Sequence, residues 1–387
     1  MNILSLMIVS AVLHAYVGLR VVPGLTEWPY AQIFMTCVLI VSTVLMPLSL
    51  LSRRRLKQPF KNVLTWTGLL LMGLFSSLFV LTLLRDVALA VAWLLSLPMA
   101  IWVTRSAEAV SVLALFVTIL GFLNARRTPA VVRVDVPIKG LPLALYGFTL
   151  IQISDIHVGP TIGAAYLQRI VNKVNKLRAD VVAITGDLVD GNVSDLAPHV
   201  APIAGLESRH GTFFVTGNHE YYSGAHAWVL ELRRLGLTVL MNEHVVLHHA
   251  SRVSSGAHGD SEFMAPLILA GVTDYSAHHF DEAHRSDPHR ALDGAPPMAL
   301  VRILLAHQPR SAPAALDAGF DLQLSGHTHG GQFWPWNLFV RFQQPFTAGL
   351  NKLQTLWVYT SRGTGYWGPP KRFGAPSEIT AVRLIVG

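Results

Sequence analysis

Five short polar motifs, each directly behind a short apolar run, constrain this chain more than any other feature. They are Asp155-Ile156-His157, Gly186-Asp187, Gly217-Asn218-His219-Glu220, His307 and Gly326-His327-Thr328-His329. The runs before them are Leu150-Ile151-Gln152-Ile153-Ser154, Val181-Val182-Ala183-Ile184-Thr185, Thr212-Phe213-Phe214-Val215-Thr216, Arg302-Ile303-Leu304-Leu305-Ala306 and Leu322-Gln323-Leu324-Ser325. Each run is closed by a small or Gly-containing turn and predicts a buried strand. Ligands in such sheets collect beyond the carboxyl ends of strands, so the motifs are expected to converge. Their metal-binding side chains are all oxygen or imidazole donors, and too numerous for one ion. The pattern predicts a two-metal site.

The chain has 387 residues, of which 51% are hydrophobic and 14% charged. That balance points to a membrane part. Of the formal charge of +7, all is carried by residues 1–130, while 131–387 hold 20 basic and 20 acidic residues. An excess confined to loops between apolar runs is a topology signal, and no nucleic-acid partner is expected. Cys37 is the only cysteine, which excludes an internal disulfide and a thiolate metal cluster.

Apolar stretches cover residues 3–22, 31–51, 63–84, 87–103 and 109–123. A bilayer core needs roughly 20 helical residues. Five spans is the preferred count and four the alternative, with Arg85-Asp86 as a tight hairpin between the third and fourth stretches. No small-residue cleavage site follows the first stretch, so a removable signal peptide is not expected. Arg53, Arg54, Arg55, Lys57 and Lys61 place the turn after the second span in the cytoplasm. Five spans then put the C-terminal domain on the non-cytoplasmic side, against a contrary hint from Arg126 and Arg127.

The expected organisation is a transmembrane region over 1–124, a proline-containing linker over 125–147 and an α/β domain over 148–387. Within the domain, helices are expected near 164–177 and 225–235, and loops at 248–262 and 276–297.

Two cations about 3.5–4 Å apart need a shared anion, and Asp187 on its glycine turn suits that role. Asp155 and His157 alternate along an extended segment, so they can meet one ion only where the backbone turns. Asn218 offers a neutral carbonyl oxygen, and His307, His327 and His329 offer nitrogens. The donor set fits Mn²⁺, Fe or Zn²⁺. His219, beside Asn218, suits charge stabilisation or protonation of a leaving oxygen.

The order D-x-H, G-D-x-x-D, G-N-H-E, H and G-H-T-H resembles the calcineurin-like metallophosphoesterase superfamily. Residues 326–332 (GHTHGGQ) and 361–379 (SRGTGYWGPPKRFGAPSEI) resemble its membrane-associated bacterial phosphohydrolase branch. The resemblance covers about 148–386. It implies a four-layer αββα sandwich. It also implies Asp155, His157, Asp187 and His329 at one metal, with Asp187, Asn218, His307 and His327 at the other. His219 matches the family's catalytic histidine. Asp190 is read either as a loop residue or as a hydrogen-bond partner of a ligand histidine.

Other features carry alternatives. His248, His249, His258, His278, His279, His284 and His289 read as solvated loop residues, because their spacing fits no ligand template. Trp334, Trp336, Phe339, Phe342 and Phe346 form either core under a loop or an apolar rim. Arg362 and Arg372 either clamp phosphate or make structural ion pairs.

The expected protein is a membrane-anchored hydrolase with two divalent ions. A metal-bridging hydroxide attacks a phosphodiester or pyrophosphate, preferentially lipid-linked. The alternatives are a nucleotide or protein phosphatase, and a sensor or transporter whose domain only binds ligand. Scarce intramembrane ionisable residues, His14 being the clearest, speak against transport.

Overall fold

A backbone crossing lipid must satisfy its own hydrogen bonds, and the apolar N-terminal third does so as helices. The structure is a computed structural model that describes residues 3–52, 60–254 and 260–387. Contacts divide the chain into two units, 1–126 with 368–373, and 127–367 with 374–387.

The first unit holds α1 (Ile3–Val21), α2 (Pro29–Ser52), α3 (Phe60–Leu94) and α4 (Met99–Arg126). Among the described residues these four helices are long and apolar enough to cross a membrane, so the preferred count of five becomes four. Stretch 87–103 is no span of its own. It continues α3, breaks around Ser96, whose φ is 55°, and resumes in α4. Arg85-Asp86 lies inside α3 rather than in a hairpin. Arg85 donates to Arg20 O (2.8 Å), Val103 O (3.0 Å) and Ser106 Oγ (2.8 Å). Asp86 accepts from Tyr16 Oη (2.8 Å) and Arg20 Nε (3.0 Å). Charges satisfied by neighbouring helices need no water-exposed turn. Buried His14 is satisfied likewise, 2.9 Å from Ser42 Oγ and stacked on Phe75. The basic residues Arg53–Lys57 and His258 lie outside the described residues.

Residues 368–373 belong to this helical unit. Lys371 Nζ donates to Gly73 O (2.8 Å) and to Ser77 Oγ, and the backbone N–H of Arg372 donates to Gly121 O (2.9 Å). Arg372 is only 1% exposed there. Of its two readings, phosphate clamp or structural ion pair, burial in the helical unit speaks against the clamp.

In the second unit the chain runs β1 (Ala130–Ile138), β2 (Thr149–Ile153), α5 (Ala164–Asn175), β3 (Val181–Thr185), α6 (Val193–Val200) and β4 (Thr212–Val215). It continues through α7 (Asn218–Ser223), α8 (Ala225–Arg234), β5 (Thr238–Val239), β6 (Glu243–Ser254) and β7 (Asp260–Gly271). The rest is β8 (Val301–Leu305), α9 (Ala312–Asp317), β9 (Leu322–Ser325), β10 (Gly349–Leu353), β11 (Leu356–Thr360) and β12 (Glu378–Val386). One six-stranded sheet has the order β1-β12-β2-β3-β4-β5, the other β10-β11-β9-β8-β7-β6.

A buried cluster joins Leu150, Val181 and Phe213 of the first sheet to Leu267, Ile303 and Leu322 of the second, so the sheets pack face to face. Beyond the second sheet, Ile268, Ala270 and Leu304 pack with Ala312 and Ala315 of α9. On the first sheet's other face Ile151, Ile153, Val182 and Ile184 are equally buried. Helix α5 is amphipathic, burying Tyr166, Leu167, Ile170, Val171 and Val174. This is the layered α/β sandwich expected from the sequence.

Two expectations are corrected. The linker over 125–147 contains β1, which pairs in parallel with β12 along its whole length. Its prolines suggested a linker, but Val132, Val134 and Val136 alternate with Arg133 and Asp135, and Asp135 meets Arg383 across the strands at 2.6 Å. The loop over 248–262 is largely the β6–β7 hairpin, in which residues 243–254 pair antiparallel with 260–271. Stretch 276–297 is irregular as expected, with three short 3₁₀ turns.

Candidate metal centre

Strands β2, β3 and β4 lie side by side and parallel in one sheet, and β8 and β9 do so in the other. Their carboxyl ends deliver the five motifs to one place. Each strand then has to turn sharply to aim its side chain. Asp155, His157, Asp187, His327 and His329 all take φ between 51° and 69°. Non-glycine residues reach this left-handed region at a cost of about 1–3 kcal/mol each, and they persist only where their surroundings force them. The expected turn between Asp155 and His157 is therefore present. Close approach also explains two glycines. A Cβ on Gly217 would stand 2.2 Å from Asp187 Oδ1, and one on Gly326 would stand 2.2 Å from Asp155 Oδ2.

The ligating atoms fall into two groups that share Asp187. His157 Nε2 and His329 Nε2 are 3.0 Å apart, and His329 Nε2 is 3.5 Å from Asp155 Oδ1. On the other side His307 Nε2 lies 3.2 Å from Asp187 Oδ2 and 3.2 Å from His327 Nδ1. Asp187 Oδ2 is also 3.9 Å from His157 Nε2. Six of the seven residues expected as ligands are thus brought together, with one ligand atom each of Asp155, His157 and His329, and of Asp187, His307 and His327, within 4.8 Å of one another.

The donor chemistry fits a pair of divalent cations. Asn218 Oδ1 is buried with no hydrogen-bond partner. A buried amide oxygen without a donor is costly, and a cation would satisfy it. Paired ring nitrogens facing one another at 3.0–3.2 Å share the same logic. Burial first, and then the neighbouring His307, push His327 down to about 3. His307 is fixed from behind by Thr185 O at 2.7 Å from Nδ1, which directs Nε2 inward.

Asp190 resolves to the second of its two readings. Its Oδ1 lies 3.0 Å from His157 Nδ1 and 2.6 Å from His219 Nδ1. Burial would raise its carboxyl, but the two imidazoles outweigh burial and hold it well below the usual carboxylate range. Burial acts on His219 in the lowering direction, yet the hydrogen bond to Asp190 and the charges of Asp187 and Asp190 raise it to about 9. His219 Nε2 stands 4.0 Å from Asp187 Oδ2, beside the ligand cluster.

Sequence reasoning missed three residues here. Glu220 was read only as part of its motif, but it is fully buried and accepts four backbone N–H groups. These are Asp187 N (2.9 Å), Gly217 N (2.7 Å), Leu188 N (2.8 Å) and Val189 N (3.3 Å). Burial, and next the charge of Asp187, push its carboxyl up to about 8, while the backbone donors act against that. The capping spacing of Glu220 three residues after Gly217 was the available signal. Tyr222 and Trp367 were also missed. Both are exposed, with rings 5.3 Å and 5.9 Å from the His219 ring, and no spacing in the sequence announces them. Arg362 follows its ion-pair reading: Nη1 meets Glu378 Oε2 at 2.8 Å.

The model of the calcineurin-like phosphoesterase family matches residues 148–331. An uncharacterized metallophosphoesterase of Campylobacter jejuni is 35% identical over 278 residues, covering 70% of this chain and 68% of that protein. The chain belongs to the calcineurin-like phosphoesterases. Two relatives bear the name "Transmembrane protein with metallophosphoesterase domain", one from Bos taurus at 42% identity and one from Danio rerio at 39%. These matches cover 73% and 71% of this chain, and the chain spans 64% and 62% of the length of those relatives. Kinship within the family thus extends beyond the bacterial branch to animal proteins.

Glu220→Ala should leave four buried N–H groups without an acceptor, at a cost of roughly 3 kcal/mol or more. The expected result is a lower Tm together with loss of divalent metal from the purified protein, measured by emission spectroscopy. Unchanged metal content would show that Glu220 does not hold the two ligand loops.

Proposed function

We propose that this chain is a membrane-anchored phosphohydrolase that works with two divalent cations. Two buried groups of Asp and His ligand atoms, linked through Asp187, carry the reading, and the orphaned Oδ1 of Asn218, next to His219 in the chain, supports it. Asp155, His157, Asp187 and His329 would hold one cation, and Asp187, Asn218, His307 and His327 the other. Mn²⁺, Fe and Zn²⁺ all suit these donors. Bound there, the pair supplies neutralising charge for phosphoryl oxygens and makes water more acidic.

The chain's own contribution is a proton and its placement. Asp190 holds His219 through Nδ1, so Nε2 is the nitrogen left to face a substrate. The hydrogen bond to Asp190 favours the protonated imidazole, the form that donation to a leaving oxygen requires. Tyr222 and Trp367 beside it offer apolar faces to whatever the phosphate is esterified with. Trp336, Phe339 and Phe342 extend this character. Their rings follow one another at 6.0 Å and 6.5 Å, and all three are exposed, which favours the rim reading over the core reading. Phe346 instead packs against the buried cluster under α9. A solvent-facing row of aromatics supports an amphiphilic phosphodiester or pyrophosphate as substrate.

Four helices reverse the expected sidedness. The basic residues Arg53, Arg54, Arg55, Lys57 and Lys61 mark the cytoplasmic side by their charge, and two helices, α3 and α4, lead from there to residue 126. An even number returns the chain to that side, where Arg126 and Arg127 also belong. The catalytic domain is therefore proposed as cytoplasmic.

Four measurements test these readings. Asp187→Asn should lose metal and activity together, because a neutral amide cannot offset two cations. His219→Gln should keep its metal while turnover falls roughly 10²–10⁴-fold. Metal loss in His219→Gln equal to that in Asp187→Asn would make His219 a ligand instead. Replacing Trp336, Phe339 and Phe342 by Ser should raise KM for a micelle-borne diester about tenfold, or about 1.4 kcal/mol, and spare a small soluble aryl diester. Equal losses against both substrates would return the row to a packing role and favour a soluble nucleotide substrate. A fluorescent reporter fused to the C-terminus, active only in the cytoplasm, should be bright. A dark, protease-accessible reporter would restore the non-cytoplasmic assignment.

A further inference from the structure

A second cluster of ligating side chains is assembled from separate elements, away from the five motifs. His226 stands in the first turn of α8, while Asp281 and His284 lie in the irregular stretch 276–297. His226 Nε2 is 3.3 Å from Asp281 Oδ2, and His284 Nε2 is 3.8 Å from the same oxygen. One ligand atom from each of the three residues lies within 4.8 Å of the others. In a tetrahedral site with bonds of about 2.0–2.2 Å, neighbouring ligand atoms stand roughly 3.3 Å apart. The spacing is close to that of a formed site.

We propose that His226, Asp281 and His284 bind a further divalent cation of the Zn²⁺ class, separate from the centre built by the five motifs. Two of the three ligands are already oriented. Asp281 Oδ1 accepts from Ala283 N at 3.0 Å and caps the short turn Glu282–His284, which leaves Oδ2 for the imidazoles. His284 Nδ1 is 3.0 Å from Tyr221 Oη. With its hydrogen on Nδ1, the ring donates to that oxygen and presents the Nε2 lone pair toward Asp281. Two imidazoles and one carboxylate select Zn²⁺, Co²⁺ or Ni²⁺ over Mg²⁺ and Ca²⁺. Three protein ligands leave a position for water on the open side, where the His226 side chain is 74% exposed.

The sequence reading took His284 for a solvated loop residue because no neighbour at ligand spacing accompanied it. Its partner comes from α8, far away along the chain. A cation there would tie stretch 276–297 to α8 and, through Tyr221, to α7, the short helix that carries Asn218 and His219. The site is thus suited to fixing that helix rather than to chemistry of its own.

The test is a metal count on the full chain in detergent, equilibrated with Zn²⁺ and freed of excess. Wild type should carry one more ion per chain than His226→Ala or His284→Ala. Co²⁺-loaded protein should lose the matching part of its visible tetrahedral absorption in both variants. His226 is exposed, so its replacement tests the site without disturbing the core, and an unchanged Tm in chelator confirms that. Equal metal content in wild type and both variants overturns the proposal. Asp187→Asn separates the two centres: it should lose ions at the motif centre and keep the one held by His226. If Asp187→Asn loses ions while the histidine variants do not, only the additional site fails.

Discussion

One buried carboxylate organises the centre. Glu220 gathers N–H groups from the Gly186-Asp187 loop and from Gly217 at the head of α7, and so fixes the separation of two motifs that come from adjacent strands. Without it, Asp187 would have no reason to hold φ at 52°, a conformation that costs free energy unless neighbours impose it. The position of Asp187 then sets everything else, because both groups of ligands approach its oxygens. His219 is oriented by the same device, since its own backbone N–H donates to Asp187 Oδ1 at 2.9 Å.

Around that anchor the site is crowded with groups that oppose one another. Four carboxyl groups and five imidazoles are packed where little water reaches, and burial alone would drive each toward neutrality. The observed directions follow from who touches whom. Asp190, flanked by two imidazoles, is held well below its ordinary range, while His219 rises because Asp190 and Asp187 face it. His327 falls, because burial and then His307 outweigh the opposing charge of Asp187. Such opposed shifts within a few ångströms are what a site prepared for cations produces. The proposed division between ligands and a proton donor rests on this same asymmetry.

The helical unit solves its polar problem differently. Arg85, Asp86, Arg20 and Tyr16 form one hydrogen-bonded set within the helices, and His14 is matched to Ser42. These groups are satisfied by helix partners and backbone carbonyls, which makes them joints between helices rather than a polar path. Lys371, held by Gly73 and Ser77, is a further joint of this kind, brought from the far end of the sequence.

What the sequence determined by itself was local: the five strands, whose runs of Val, Ile and Leu end within a residue or so of the observed bounds, and the ligand residues that follow them. A short apolar run closed by a small-residue turn has one stable fate in a layered sheet, so that signal survives without tertiary knowledge. The membrane character was legible for the same reason. Tertiary structure decided what depends on partners distant in the chain. Arg85 looked like a turn because its acceptors, Arg20 O and Val103 O, lie outside its own helix segment, and the span count changed with it. β1 looked like a linker because its pairing partner is the last strand, and 248–262 looked like a loop because polar residues can alternate along a hairpin. Arg372 joined the helices and Arg362 joined Glu378, which no spacing foretold. Tyr222, Trp367 and the His226–Asp281–His284 cluster acquire their meaning only from proximity, and proximity between distant residues is what folding creates.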